Sequence, residues 1–212
     1  MTIWPSVHPP SDDDVGIRRP FHHLPLHCKP VGCTISYDAV EALPVCDQEV
    51  RQEWLHSVGW CTDPRRYDGV VCGPPARTRL SMADIALMLE AGTVVPLEGV
   101  RPAAYCAMFC VPEWHKEPPR RRRVVHPKAV NEACGRDTLR QLTLPSRLDL
   151  RRAAVAEDAV CCLDAASFFD QFPVVPEVGR FFCFQGPDRK LYRLSAMAMG
   201  QRQSTEVASA LM

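Results

Sequence analysis

Asp164 stands at the end of a short apolar run, Val160-Cys161-Cys162-Leu163, and Phe168 and Phe169 follow within two turns of chain. A carboxylate delivered by a buried strand is held rigidly yet stays reachable from solvent. Hard cations such as Mg²⁺, with Mn²⁺ as an alternative, take oxygen ligands and need only one or two protein carboxylates when substrate phosphates complete the shell. In a two-metal phosphoryl transfer, one ion activates an attacking 3′-oxygen and the other holds a triphosphate. An aspartate in this position also serves simply as a helix cap. Upstream, Arg120, Arg121, Arg122 and Arg123 are consecutive. A guanidinium donates two parallel charge-assisted bonds to phosphate oxygens, and a solvated basic loop is the plainer alternative. Downstream, Gly200 follows Ala198-Met199, where a missing Cβ lets the backbone approach a ligand or makes a turn.

The elements that must position these residues are legible in outline. Ser81 and Asp84 have the spacing of a capping pair; Ile85, Met88 and Leu89 form a helical stripe, and Gly92 is a stop. Residues 93–96 and 103–111 read as strands, and the loop 112–119 leads through the arginines to a short strand at Val124 and Val125. Residues 147–158 read as a helix and 160–164 as a strand. The stretches 181–185 and 191–194 flank Gly186-Pro187-Asp188-Arg189-Lys190, a hairpin signal. Residues from Gln203 onward open a helix that Ser204 or Thr205 would cap. Before residue 80 the pattern is irregular, apart from a short helix over 48–57 with Val50, Trp54 and Leu55 on one face. The segment from Gly59 to Thr78 reads as loop.

Composition bounds the function class. The 20 prolines in 212 residues are nearly double the usual share of about 5%, and they concentrate before residue 130. Formal net charge is +0, but it is unevenly placed. Residues 1–60 carry eight acids against four bases, and residues 116–152 carry eleven bases against four acids. A local polyanion contact is implied that the total hides. Eleven cysteines behind an N-terminus, Met1-Thr2-Ile3-Trp4-Pro5, without leader character lead to an expectation of reduced thiols and an intracellular setting. No apolar run approaches the roughly 18 residues of a membrane span. His22, His23, His27, Cys28 and Cys33 are zinc-ligand types, but their spacing matches no finger pattern.

Five blocks, in order, resemble the fingers and palm of retroelement reverse transcriptases: Leu89-Glu90-Ala91-Gly92 with Thr93-Val94-Val95-Pro96; Tyr105-Cys106-Ala107-Met108-Phe109-Cys110-Val111-Pro112; Arg121-Arg122-Arg123-Val124-Val125-His126-Pro127-Lys128-Ala129-Val130-Asn131; Leu163 to Phe172; and Met197 to Met212. The resemblance implies an α+β fold of the right-hand polymerase type. Residues 1–80 would be an irregular Pro-rich arm, 81–159 fingers and 160–212 a partial palm that stops before the palm hairpin and thumb. It implies an RNA-directed DNA polymerase that adds dNTPs to a primer 3′-hydroxyl on an RNA template. Asp164 would be the metal ligand, Arg122 and Lys128 would face the triphosphate, and Phe169 beside Phe168 would exclude a 2′-hydroxyl by bulk. Met199 and Gly200 would lie against the nascent pair, and Arg120, Arg121, Arg123, Arg151 and Arg152 along template and primer. Phe169 as a plain core residue is an equal alternative.

The chain departs from the pattern at four places. Ala198-Met199 stands where a proline would precede Gly200, and Thr205 replaces a later proline. Glu113-Trp114 follows Pro112 where lysine is usual, and Asp170 adds a carboxylate near the site. These departures are similar to a diverged branch such as the tyrosine-recombinase retrotransposons. The family's block of an aromatic, any residue and two aspartates is absent, so the isolated chain is expected to be inactive without a further segment or a second chain. The rival expectations are a non-catalytic reverse-transcriptase-derived nucleic-acid-binding or scaffold protein, and a small zinc-stabilised module around residues 20–35.

Overall fold

A computed structural model describes residues 20–30, 34–42, 44, 47–76, 78–134, 152 and 168–210. In chain order these form β1 (Leu26–His27), α1 (Tyr37–Glu41), α2 (Gln48–Thr62), a 3-10 turn (Pro64–Tyr67), α3 (Met82–Glu90), β2 (Val94–Pro96), β3 (Ala107–Glu113), β4 (Arg120–His126) and α4 (Lys128–Ala133). A second 3-10 turn (Phe168–Gln171), α5 (Pro176–Gly179), β5 (Cys183–Gln185), β6 (Leu191–Leu194) and α6 (Ser204–Ala210) follow. The helix expected over 147–158, the strand over 160–164, Asp164, Arg151 and Cys33 lie outside the described residues.

Two small sheets carry the mixed architecture. In one, β4 lies between β1, parallel to it, and β3, antiparallel to it; in the other, β6 lies between β2 and β5, antiparallel to both. The expected hairpin is present: Gly186 N–H donates to the Lys190 carbonyl, and Asp188 accepts from Lys190 N–H and the Tyr192 hydroxyl. The expected helix start is present too. Ser81 and Asp84 make the full capping box, Ile85 and Met88 point into the core, and Gly92 takes the left-handed conformation at φ +72°. Leu89, expected on the buried stripe, is exposed.

The described part of the N-terminal region is more ordered than its composition indicates. The α2 helix runs past Leu55 to Thr62, capped by Asp47, whose carboxylate accepts from Glu49 N–H. Its buried side is Trp54 with Ser57 to Cys61, while Val50 and Leu55 face water. Tyr67, in a stretch read as loop, is buried, edge-on to Trp60 at 5.7 Å and stacked on Phe181 at 4.8 Å. Large rings bury more area than any periodic pattern reports. Leu26, Trp60, Cys61, Tyr67 and Leu80 join Ile85, Met108, Val125 and Phe184 in one core, which crosses the boundary expected at residue 80.

The arginines also differ from expectation. They form a strand, not a loop, and a strand alternates its side chains between two faces. Arg121 is only 8% exposed. Its guanidinium meets Asp84 with two bonds, 2.7 Å and 3.1 Å, and its Nε donates to the Leu24 carbonyl. Burial by itself would raise the Asp84 carboxyl, but the bonds from Arg121 and Ser81 outweigh it and hold the group below the ordinary carboxylate range. No described helix is long and apolar enough to cross a membrane.

Removing one partner of a buried pair strands the other charge, at a cost of about 3–5 kcal/mol. Asp84→Ala is therefore expected to lower the unfolding free energy by about that amount in urea denaturation, and a wild-type midpoint would contradict it. The pH dependence follows from the depressed carboxyl. Its contribution is complete above the unfolded-state value of about 3.9 and is lost as pH falls through the lower folded value. The acid limb of wild-type stability should fall more steeply below about pH 4 than that of Asp84→Asn.

Candidate nucleic-acid interface

The outer face of β4 presents Arg120 and Arg122. Glu113, the register partner of Arg120 at the end of β3, sits almost fully buried between them. Its Oε2 accepts from Arg120 Nε at 2.7 Å, and its Oε1 lies 3.3 Å from Arg122 Nε. The Arg120 hydrogen bond holds the Glu113 carboxyl below its ordinary range against the opposing effect of burial. His27, on β1 opposite Arg122, lies with Nδ1 3.0 Å from Arg120 Nη1. A guanidinium only donates, so Nδ1 accepts and the ring proton is on Nε2. Burial, then the charges of Arg120 and Lys29, push the His27 value down, which keeps it neutral in that role. Arg122 keeps 49% of its side chain in water.

The inner face is structural. Arg123 donates to Thr93 Oγ1 at 2.9 Å and to Asp170 at 2.7 Å, tying β4 to the start of β2 and to the second 3-10 turn. That turn carries Phe168 and Phe169, both half-buried, with Phe168 edge-on to Phe169 and to the core residue Phe172. The four arginines therefore divide. Arg120 and Arg122 face outward, Arg120 with bonds to Glu113 and His27, whereas Arg121 and Arg123 have their guanidinium groups turned inward to Asp84 and Asp170 by the alternation of the strand; Arg120, Arg121 and Arg123 were all expected along nucleic acid.

Beyond the arginines the strand meets the glycine turn. A Cβ at Gly200 would collide with the Val125 carbonyl and press on Pro127. Asn131, on α4, fixes this approach from the side: its Nδ2 donates to the Gly200 carbonyl at 2.9 Å, and its Oδ1 accepts from Arg202 N–H at 3.0 Å. Only one amide orientation satisfies both. Beneath the turn Gln201 donates to the Tyr67 hydroxyl, which donates to the Trp60 carbonyl, so α2 supports it. Ser204 is the first residue of α6 and its hydroxyl donates to the Ala198 carbonyl; the Thr205 hydroxyl donates to the Arg202 carbonyl. One or the other was expected as the cap. Met199 is 51% exposed at the edge of this seam. Lys128 is exposed and 3.7 Å from Glu132, a surface pair of little energetic weight. Arg152 is exposed.

Sequence reading brought Arg122 and Gly200 forward separately, and the structure places them along one strand. Val125 is three residues from Arg122, about 10 Å at the rise of a strand. It read His27 as a zinc-ligand type, and it gave Glu113 and Asn131 no part in the site. The seven-residue spacing between Glu113 and Arg120 across a Pro-rich turn was the available signal for Glu113. His22, His27 and Cys28 do not converge: His22 stacks on Phe21, His27 meets Arg120, and Cys28 lies against Leu87 and Thr93. Among the described residues no three metal-ligand side chains gather.

No family model matches the chain, and no curated protein does. Solved structures similar to it include the prototype foamy virus protease-reverse transcriptase CSH mutant, with a TM-score of 0.48 and 17% identity over 84% of this chain and 26% of that one. The native form of that enzyme gives 0.44 and 16% over 82% and 25%. The foamy viral protease-reverse transcriptase in complex with RNA/DNA hybrid gives 0.46 and 13% over 86% and 28%. The chain thus spans about a quarter of the length of these three, and at such scores the functional reading rests on its own residues.

Gly200→Ala is expected to cost about 1–3 kcal/mol, because a backbone carbonyl cannot yield as a flexible side-chain end would. Asn131→Ala should loosen the same seam. The double variant is then expected to lose less than the sum, a non-additivity that a denaturant-unfolding cycle measures. Strict additivity would show that the clamp and the close approach are independent.

Proposed function

We propose that this chain forms fingers and part of the palm of a reverse-transcriptase-type nucleotidyltransferase and binds primer–template and dNTP along β4. The observation that carries the reading is the docking of the Gly200 turn on the Val125 carbonyl, clamped by Asn131. The seam joins the two sequence blocks that the resemblance assigns to the triphosphate and to the nascent pair.

Within this reading the described residues bind and orient. Arg122 offers a planar fork to the triphosphate, with Glu113 Oε1 3.3 Å from its Nε. Lys128 supplies a point charge near the same strand end. Phe169 gives bulk that excludes a 2′-hydroxyl, and its packing against Phe168 keeps the ring in place. Met199 and the bare backbone of Gly200 lie against the nascent pair. Arg120 and Arg152, with Arg151, track phosphates without reading sequence. Asp164 is the carboxylate assigned to Mg²⁺, which when bound supplies activation of the 3′-hydroxyl and charge neutralisation on the triphosphate. The described acid closest to it in sequence, Asp170, already has Arg123 as its partner.

A second reading, a non-catalytic nucleic-acid-binding protein, is favoured by the pairing with Arg123, which commits Asp170 to holding β4. Asp164→Asn separates the two. It should leave binding intact in both cases, and it should abolish primer extension in any longer or complemented form that extends primers.

The shared requirement is an electrostatic contact. Binding of a primer–template should weaken as salt rises. Arg122→Ala should reduce the slope of log affinity against log salt by about 0.7–0.9, one phosphate contact. Arg122→Lys should restore the slope but not the full affinity, since the fork is lost. Binding that ignores salt, or an Arg122→Ala variant with an unchanged slope, would overturn the reading.

A further inference from the structure

Residues 114–119 close the β3–β4 hairpin, and all six are exposed. The first of them, Trp114, leaves 42% of its surface in water. No other large apolar side chain between residues 107 and 126 is exposed. The surroundings of Trp114 are cationic. Lys116 lies in the turn, and Arg120 and Arg122 stand on the strand that leaves it. Glu113, the acid next to Trp114, is buried with its oxygens against those two arginines, so its charge is already compensated. The remaining acid of the turn is Glu117.

A flat exposed indole in a hairpin turn whose outgoing strand carries Arg120 and Arg122 suits a ligand that alternates aromatic faces with phosphates. Every nucleobase has a π-face, but in a duplex only the terminal pairs expose one. A tryptophan that projects from a hairpin tip therefore selects for unpaired bases. We propose that Trp114 is a stacking platform for an unpaired base of single-stranded nucleic acid, with Lys116, Arg120 and Arg122 holding the adjoining phosphates. This rests on the reading of β4 as a nucleic-acid interface and adds an unpaired base to what that interface takes. Stacking of this kind tolerates any sequence, and RNA and DNA share the chemistry.

The test is titration of the 212-residue chain with an unstructured oligothymidylate, an oligouridylate and a blunt duplex, followed by anisotropy across a salt series. Trp114→Ala is expected to weaken both single strands about 5- to 150-fold, the effect of one lost base–aromatic stack, and the duplex much less. The salt slope should not change, because no charge is removed. Trp114→Phe should recover most of the affinity, and the thermal midpoint of both variants should match wild type because the ring is exposed. A larger loss on oligouridylate than on oligothymidylate would support the platform with RNA as its preferred strand, and equal losses would support it for both. If Trp114→Ala binds single strands as tightly as wild type while Arg122→Ala does not, the platform is overturned and the interface stands. If wild type binds no nucleic acid, both fall. An equal loss on blunt duplex would also overturn it.

Discussion

The two-bond contact between Arg121 and Asp84 fixes where β4 can lie. Asp84 is committed twice, once to the capping box that starts α3 and once to the guanidinium. Arg121 is committed a third time, to the Leu24 carbonyl just before β1. A buried charge pair contributes little net stability compared with a well-packed apolar pair, but it has only one acceptable geometry. Helix, central strand and edge strand are therefore held in one register. With Arg121 turned inward, alternation sends Arg120 and Arg122 to the other face.

The same strand organises the rest of the interface. Its inner face reaches the second 3-10 turn through Arg123 and Asp170, and its last residues meet the glycine turn through the Val125 carbonyl. Both contacts constrain chain that is distant in sequence and carries residues of the proposed nucleotide site. Asn131, one helical turn into α4, and Tyr67, supported by α2, secure the glycine turn from two sides. Precision at a site of this kind comes from supporting bonds of this sort, since exposed side chains such as Met199 and Lys128 have few partners of their own.

Local signals in the sequence were read well where one principle dominated. The capping box at Ser81, the positive-φ stop at Gly92 and the hairpin around Gly186 each depend on a few adjacent residues, and each is present. The reading was weaker where tertiary contacts decide. Trp60 and Tyr67 are not periodic; Trp60 packs edge-on to Tyr67, and Tyr67 packs on Phe181 and Phe182, more than a hundred residues away. The arginine run reads as a phosphate contact or a solvated loop, exposed in either case; the two acids that draw half of it inward, Asp84 and Asp170, lie 37 and 47 residues away from their partners. Of the proposed site, Arg122 and Gly200 were legible as types, whereas their common strand was not.

Those distant acids also explain how a chain of formal charge +0 can carry a cationic face. Asp84 and Asp170 are matched one to one with the inward arginines, and Glu113 is shared by two outward ones. Three carboxylates thus neutralise the scaffold of β4 at short range, within or close to the core, where screening by salt is weak. Arg122, Lys116, Lys128 and Arg202 remain at the surface, where a polyanion can reach them. Acids elsewhere, such as Glu41 and Glu49, balance the total. What a phosphate backbone would meet is set by this pairing pattern, since charges separated by more than about 8 Å in solvent contribute little at physiological salt.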